Sequence, residues 1–272
     1  MNKFSVLISI YKDEREKWFR EALDSVLNQT ILPTEIVLVK DGPLTPELDM
    51  VIAEYLKKYP IFKIVVNEKN LGLGLALRKG TLECSYDIIA RMDTDDIITP
   101  NRFEKELKKI EDGYDVVSCW SLFFEDDLNN QVAIKKHPEK HEDIVKKAHK
   151  RSPICHAGCM MRKNALLKAG NYQNCHYYED YHLWVRMIMS GAKFYNIQEV
   201  LYYVRTYPAL VSRKGGWSYV QHEISVFKYF RSIGFYTYWD FIRNSVIRFC
   251  VRMTPEVLRA HIMKIVWNYK TN

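Results

Sequence analysis

The first hundred residues repeat one pattern: a short run of apolar, largely β-branched residues, a polar loop, then an amphipathic stretch. Such alternation is the mark of βαβ units, whose crossover helices cover both faces of a mainly parallel sheet. Strands are predicted over residues 4–10, 35–39, 62–66 and 86–92, with helices over 16–27, 46–59 and 72–82. Each strand then points its carboxyl end at a polar loop, which is where open α/β sheets bind ligands.

Beyond Asn101 a helical pattern through Ile110 leads to an apolar run at 115–124, and alternation is less regular as far as about Val204, as in α+β additions to a sheet. Residues 135–151 are dense in Lys and His and predict an exposed helix or loop whose charge is solvated. From Trp217 the pattern is helical, with eight cations against three acids and many interleaved aromatics. Such helices either lie in a membrane interface or cap the core.

With 272 residues, 47% of them hydrophobic, the chain can bury a large core, so disorder is excluded as its main state. The formal charge of +7 suits anionic ligands or an anionic membrane surface and does not require nucleic acid. Six dispersed cysteines lack the spacing of a disulfide scaffold and indicate free thiols in a reducing compartment. Cys155, His156, Cys159, Cys175 and His176 match no recognised zinc spacing. The apolar run at 4–11 has no cleavage-site pattern and reads as a buried strand, and no stretch of about 18 uncharged apolar residues predicts a membrane span.

Asp93-Thr94-Asp95-Asp96 follows directly on the predicted strand ending at Met92. In extended chain Asp93 and Asp95 project to one side. Two such carboxylates suit Mg²⁺ or Mn²⁺, whose coordination a diphosphate would complete. Alone, such a triplet is common in surface turns and helix caps.

Four segments recur in the order and spacing of family 2 glycosyltransferases. They are residues 5–11 with the helix ending at Leu27, Glu35-Ile36-Val37-Leu38-Val39-Lys40-Asp41-Gly42, Asn70-Leu71-Gly72 through Gly80, and Arg91-Met92-Asp93-Thr94-Asp95-Asp96. Tyr178-Glu179-Asp180-Tyr181-His182-Leu183-Trp184 resembles the family's acceptor-side acidic motif, and Arg205 with Ser212-Arg213-Lys214 resembles the basic segment of its capsule and exopolysaccharide branch. The resemblance runs to about residue 216. It implies the GT-A fold, an α/β architecture with a Rossmann-like, mainly parallel mixed sheet flanked by helices, extended here by C-terminal helices. It divides the chain into a nucleotide-sugar half (1–115), an acceptor half (116–216) and a basic helical tail (217–272).

The resemblance further implies that Ser9, Tyr11 and Glu14 line the uridine pocket and Asp41 meets the base edge. Asn70, Gly72, Arg78, Arg91, Arg205 and Arg213 join the nucleotide-sugar site. Asp93 contacts ribose and metal, and Asp95 holds the Mn²⁺ or Mg²⁺. Transfer with inversion needs a base on the acceptor side, which Asp180 or Glu179 supplies, Asp180 being favoured. His156 is expected in the acceptor pocket, and Tyr178 or Trp184 as a sugar-stacking ring.

The expected activity is inverting, non-processive sugar transfer, from a UDP-sugar to a lipid-linked oligosaccharide or other glycan, in bacterial surface polysaccharide assembly. It would take place at the cytoplasmic membrane face, with the C-terminal helices on anionic lipid. A Q-x-x-R-W motif of processive synthases is absent. A nucleotidylyltransferase would need a glycine- and lysine-rich triphosphate loop near the first strand, which Ser9-Ile10-Tyr11-Lys12 does not supply; a non-catalytic carbohydrate-binding protein would have no use for Asp93, Asp95 and Asp180 together. Gly72-Leu73-Gly74 lacks the third glycine of a dinucleotide fingerprint, and no phosphate-loop motif occurs.

Overall fold

A computed structural model describes residues 3–206 and 216–255. In chain order the elements are β1 (Phe4–Ile10), α1 (Glu16–Leu27), β2 (Glu35–Asp41), α2 (Pro46–Lys58), β3 (Phe62–Asn67), α3 (Leu73–Glu83), β4 (Ile88–Met92), β5 (Ile97–Ile98), α4 (Arg102–Glu111), β6 (Val116–Phe124), β7 (Gln131–Lys135), α5 (His141–Ala148), β8 (Cys159–Arg162), α6 (Lys163–Lys168), α7 (Glu179–Met189), β9 (Phe194–Arg205), α8 (Trp217–Ser232) and α9 (Tyr238–Met253). The first seven follow the sequence expectation within about two residues at each end.

The strands form one sheet of order β3-β2-β1-β4-β8-β6-β9-β5, with β7 paired to β6. Strands β3, β2, β1 and β4 run parallel, β8 is antiparallel to both β4 and β6, and β6 pairs in parallel with β9. Period-two alternation explains the layers: Phe4, Val6, Ile8 and Ile10 of β1 pack toward α1, α2 and α4, whereas Leu7 packs toward α3 and α7. On this second side α3 lies so close that a Cβ at Gly80 would stand 2.4 Å from Leu7 Cδ1 and 2.7 Å from Val39 Cγ2.

Residues 135–151 correct the expectation of a solvated segment. Helix α5 is docked through Ile144 and Ala148, both fully buried, and His137 is buried beside it. Its charged face at Glu142, Asp143 and Lys146 is exposed as expected, while the opposite face at Ile144 and Ala148 seats the helix. Helices α8 and α9 do cap the core, because Phe227, Phe230, Phe235 and Tyr236 pack on Tyr181 and Val185 of α7. The outer face of α9 remains apolar and exposed at Trp239, Val246 and Met253, which share one face at seven-residue intervals. Among the described residues no helix is long and apolar enough to cross a membrane.

Under the carboxyl end of β4 lies a completely buried ion pair, with Arg102 Nε 3.1 Å from Glu106 Oε1. The Arg102 Nη2 also donates to the carbonyls of Arg91 (3.0 Å) and Cys159 (3.2 Å), tying β4 to β8. Burial pushes the Glu106 carboxyl up to about 7 while the neighbouring guanidinium pulls it down. Arg102→Met should therefore leave an uncompensated buried acid and cost roughly 3–5 kcal/mol in urea unfolding, whereas Arg102→Met with Glu106→Leu should recover most of the loss.

Candidate active site

Strand β4 ends at Met92, and the next four residues turn back toward β5. One side-chain oxygen from each of Asp93, Asp95 and Asp96 falls within 4.8 Å of the others. Three carboxylates this close repel one another. Asp95 is pushed up to about 6, first by burial and then by Asp93, with Arg91 and Arg205 opposing. Asp96 is raised as well, by burial and by Asp95 and Asp93, and is 3% exposed.

Strand β9 holds this loop in place. The backbone N–H of Arg205 donates to Asp96 Oδ1 (2.8 Å), and the Tyr202 hydroxyl accepts from the Asp93 N–H (3.2 Å). Arg205 is 2% exposed: its guanidinium donates to the carbonyls of Asp95 (3.0 Å) and Asp126 (2.8 Å) and pairs with Glu21, 2.5 Å away. It also lies over the rings of Trp18 and Phe124. Arg205 is thus an internal clamp, correcting its assignment to the nucleotide-sugar. The motif announces a cation, but its burial is set by residues far away in sequence.

Arg91 is corrected in the same way. At 1% exposure it lies behind Asp93 and forms an ion pair with that carboxylate, so it orients an acid and is shielded from ligand. Asp93 keeps 35% of its side-chain surface exposed. Asp93 and Asp95 therefore offer the hard oxygen donors that a divalent cation requires, and added positive charge would relieve their repulsion.

Facing this loop is the segment after β1. Glu14 is raised to about 8, first by burial and then by Asp95, while a hydrogen bond from Thr94 lowers it. Ser9 and Tyr11 are half-buried at the end of the same strand. Asp41, at the end of β2, is 3% exposed and accepts from Asn67 Nδ2, Leu71 N and Gly72 N, each at 2.9 Å. It shapes the loop that carries Asn70 and Gly72. Gly42 next to it has φ +91°, and a Cβ there would meet Asn70 N at 2.7 Å. Arg78 is exposed on α3, and no described contact joins it to the acidic loop.

The second acidic pair opens α7. A Cβ on Gly74 of α3 would stand 3.2 Å from the Glu179 Cβ, so these helix starts touch. Glu179 is raised to about 7, first by burial and then by Asp180, and it also feels Asp93 and Arg91. Asp180 accepts a hydrogen bond from Ser152 Oγ (2.9 Å). Thus α7 turns one carboxylate toward the β4 loop, while its neighbour bonds to the segment before β8.

Two expected stacking rings are corrected. Trp184 is fully buried, edge-on to Phe194 and His156, and Tyr178 is 8% exposed against Tyr219, so neither presents a face to a sugar. The spacing that suggested a platform is equally that of a helix face packed into a core. His156 is half-buried with Nε2 2.9 Å from the Tyr172 hydroxyl. Arg213 falls outside the described residues. Sequence reading missed Tyr202, Glu21 and Ser152, for which no local pattern exists.

A nucleotide-binding type of sheet, with one acidic loop at its strand ends and a second acidic pair opposite, defines a glycosyltransferase of the GT-A class. The chain matches the family model described as Glycosyl transferase family 2 over residues 5–170, and that described as Glycosyl transferase family group 2 over residues 88–269. It is 34% identical over 264 residues, 97% of each chain, to the amylovoran biosynthesis glycosyltransferase AmsE of Erwinia amylovora. To a UDP-Gal:alpha-D-GlcNAc-diphosphoundecaprenol beta-1,3-galactosyltransferase of Escherichia coli it is 36% identical over 266 residues, 97% of this chain and 96% of that one. The structure of S. aureus TarS residues 1–349 in complex with UDP-GlcNAc shares the fold, with TM-score 0.62 and 16% identity over 98% of this chain and 72% of that one. The chain belongs to glycosyl transferase family 2.

The raised carboxyls have a consequence for stability. Glu14, Glu179 and Asp95 hold protons more tightly folded than unfolded, so the folded chain binds the excess between about pH 4 and pH 8. Their contribution to stability falls as pH rises through that window, opposed by His137, His156 and His182, which burial lowers, and above pH 7 by Lys147. Without divalent cation, the Tm of the wild type should fall relative to that of Asp95→Asn as pH rises from about 4.5 to 7, and Mn²⁺ should raise the wild-type Tm at the upper end.

Proposed function

We propose that the chain is an inverting, non-processive transferase moving one sugar from a nucleotide-sugar, UDP-linked, to a lipid-linked oligosaccharide in bacterial surface polysaccharide assembly. The observation that carries this reading is the convergence of the Asp93–Asp95 loop with the Glu179–Asp180 pair across the α3 start. The names of the E. amylovora and E. coli relatives support the process and the acceptor class, and the TarS complex supports a UDP-sugar donor.

In this reading Ser9, Tyr11 and Glu14 line the nucleoside pocket, with Arg78 and Arg213 near the diphosphate. Asp93 and Asp95 would hold Mn²⁺ or Mg²⁺, and the chemistry supplied there would be neutralisation of charge on the leaving diphosphate. Asp180 takes the proton of the acceptor hydroxyl as the oxygen attacks the anomeric carbon from the face opposite the nucleotide. The bond from that carbon to the β-phosphate oxygen breaks, its electron pair leaves with the nucleoside diphosphate, and Asp180 keeps the proton until solvent removes it. Residues 1–115 serve the donor and 116–216 the acceptor. Asp95→Ala should abolish metal-dependent release of UDP from UDP-sugars, whereas Asp180→Asn should lower transfer by at least about a hundredfold and leave UDP binding by calorimetry unchanged. Loss of UDP binding in both variants would reject this division.

The exposed apolar face of α9 supports a peripheral position on the cytoplasmic membrane surface, where the tail's cations would be drawn to anionic lipid at about 1 kcal/mol each. Trp239 and Val246 are 76% and 56% exposed, so substitution there should spare the fold. Trp239→Glu with Val246→Glu should release the protein from phosphatidylglycerol vesicles in co-sedimentation while retaining Tm; undiminished sedimentation would remove the membrane assignment.

A further inference from the structure

Near Asp180 the chain gathers cations. Residues 151–153 run between α7 and the segment after β7: the Ser152 hydroxyl donates to Asp180 (2.9 Å), and the Pro153 carbonyl lies 2.6 Å from His137 Nδ1. Lys147 of α5 brings its Nζ to 3.1 Å from that same ring nitrogen and 3.3 Å from the Lys136 carbonyl. Lys135, at the end of β7, stands opposite Ser121 of β6 and senses the charges of Asp180 and Arg151.

Among the described residues neither Lys135 nor Lys147 makes an ion pair. Both are lowered first by burial, Lys147 to about 7 with Lys135 and Arg151 adding to the effect, whereas at Lys135 Cys155 and Asp180 oppose it and Arg151 adds to it. His137 is 3% exposed, and its Nε2 has no partner among the described residues. Isolated buried cations are costly, and an anion of two or more charges would relieve the repulsion between them. Surface lysines serving only solubility would keep their ammonium groups in water.

Helix α9 joins this cluster to the exposed apolar face. Its Asn244 donates to the carbonyl of His149 (2.8 Å) and its Arg248 to that of Lys150 (3.3 Å), the two residues before Arg151. Lys147, Lys135 and Arg151 thus lie between the segment that α9 holds and the carboxylate assigned as base.

We propose that Lys135 and Lys147, with Arg151 beside them, bind the diphosphate that links the acceptor sugar to its lipid, so that this anion fixes the acceptor hydroxyl at Asp180. This rests on the transferase reading above and adds a site separate from the donor's diphosphate. The charge requirement selects a diphosphate over a monophosphate or a neutral glycoside.

The test uses the full chain with UDP and Mn²⁺ saturating, and farnesyl diphosphate as probe. The wild type should bind it at least about tenfold more tightly than farnesyl monophosphate, and Lys135→Gln with Lys147→Gln should weaken diphosphate binding by at least about tenfold, with UDP affinity and Tm retained. Lys135→Arg with Lys147→Arg should restore binding, which a merely structural role would not predict. Equal affinity in the wild type and the glutamine variant, or displacement of the probe by UDP, would overturn the assignment. Binding to phosphatidylglycerol vesicles that falls in parallel with the probe would also overturn it, assigning the cluster to bulk lipid. Release of UDP from UDP-sugars by the wild type is scored separately, so failure of the transferase reading is distinguishable from failure of this site.

Discussion

Like charges crowded at the end of one strand are the constraint around which this molecule is arranged. Asp93, Asp95 and Asp96 follow β4 without a break, and Glu14 adds a fourth carboxyl against them. Such a group persists only where fixed positive charge and hydrogen-bond donors surround it. Arg91 lies behind Asp93, Arg205 reaches over the Asp95 carbonyl, and Arg102 braces the strand from beneath by its bond to the Arg91 carbonyl. The arginines are buried, Asp96 is buried with them under the Arg205 N–H, and Asp93 and Asp95 stay partly exposed. Added positive charge at this loop would relieve the remaining repulsion among the acids.

The amino-terminal half was readable because its signal is local. Period-two burial in β1 and β2 and the amphipathic spacing of α1 and α2 are visible within a dozen residues, so their bounds came out nearly as the structure has them. The site motifs were also legible as positions. Their roles were not, because burial depends on partners scattered along the chain. Arg205, Arg91 and Trp184 carry the right chemistry for a ligand and lie 2%, 1% and 0% exposed. The segment 135–151 reads as solvated because its composition is polar, yet two apolar side chains and a buried histidine dock it.

Adjacent residues at a helix start can do separate work when their surroundings differ. Glu179 packs toward α3 and the β4 loop, where burial and Asp180 make its proton harder to lose. Asp180 bonds to Ser152 on the segment that leads to the cationic cluster. Helix-terminal acids are common, and the favourable dipole alone would account for this pair. Their side chains are divided between two regions of opposite electrostatic character.

The hold of β9 on the acidic loop bears on when the site can exist. The contacts from Tyr202 to Asp93 and from Arg205 to Asp96 and Asp95 span 109 and 110 residues of chain. Closing loops of that length carries an entropic cost that no local contact offsets, so these bonds form only once the sheet between them has assembled. During synthesis the first four parallel strands can pair while the donor loop is still without its anchors. Competence at the acidic loop is therefore acquired late, as a property of the nearly complete chain, and a fragment ending before β9 would possess every acid of the loop but not the geometry that aligns them.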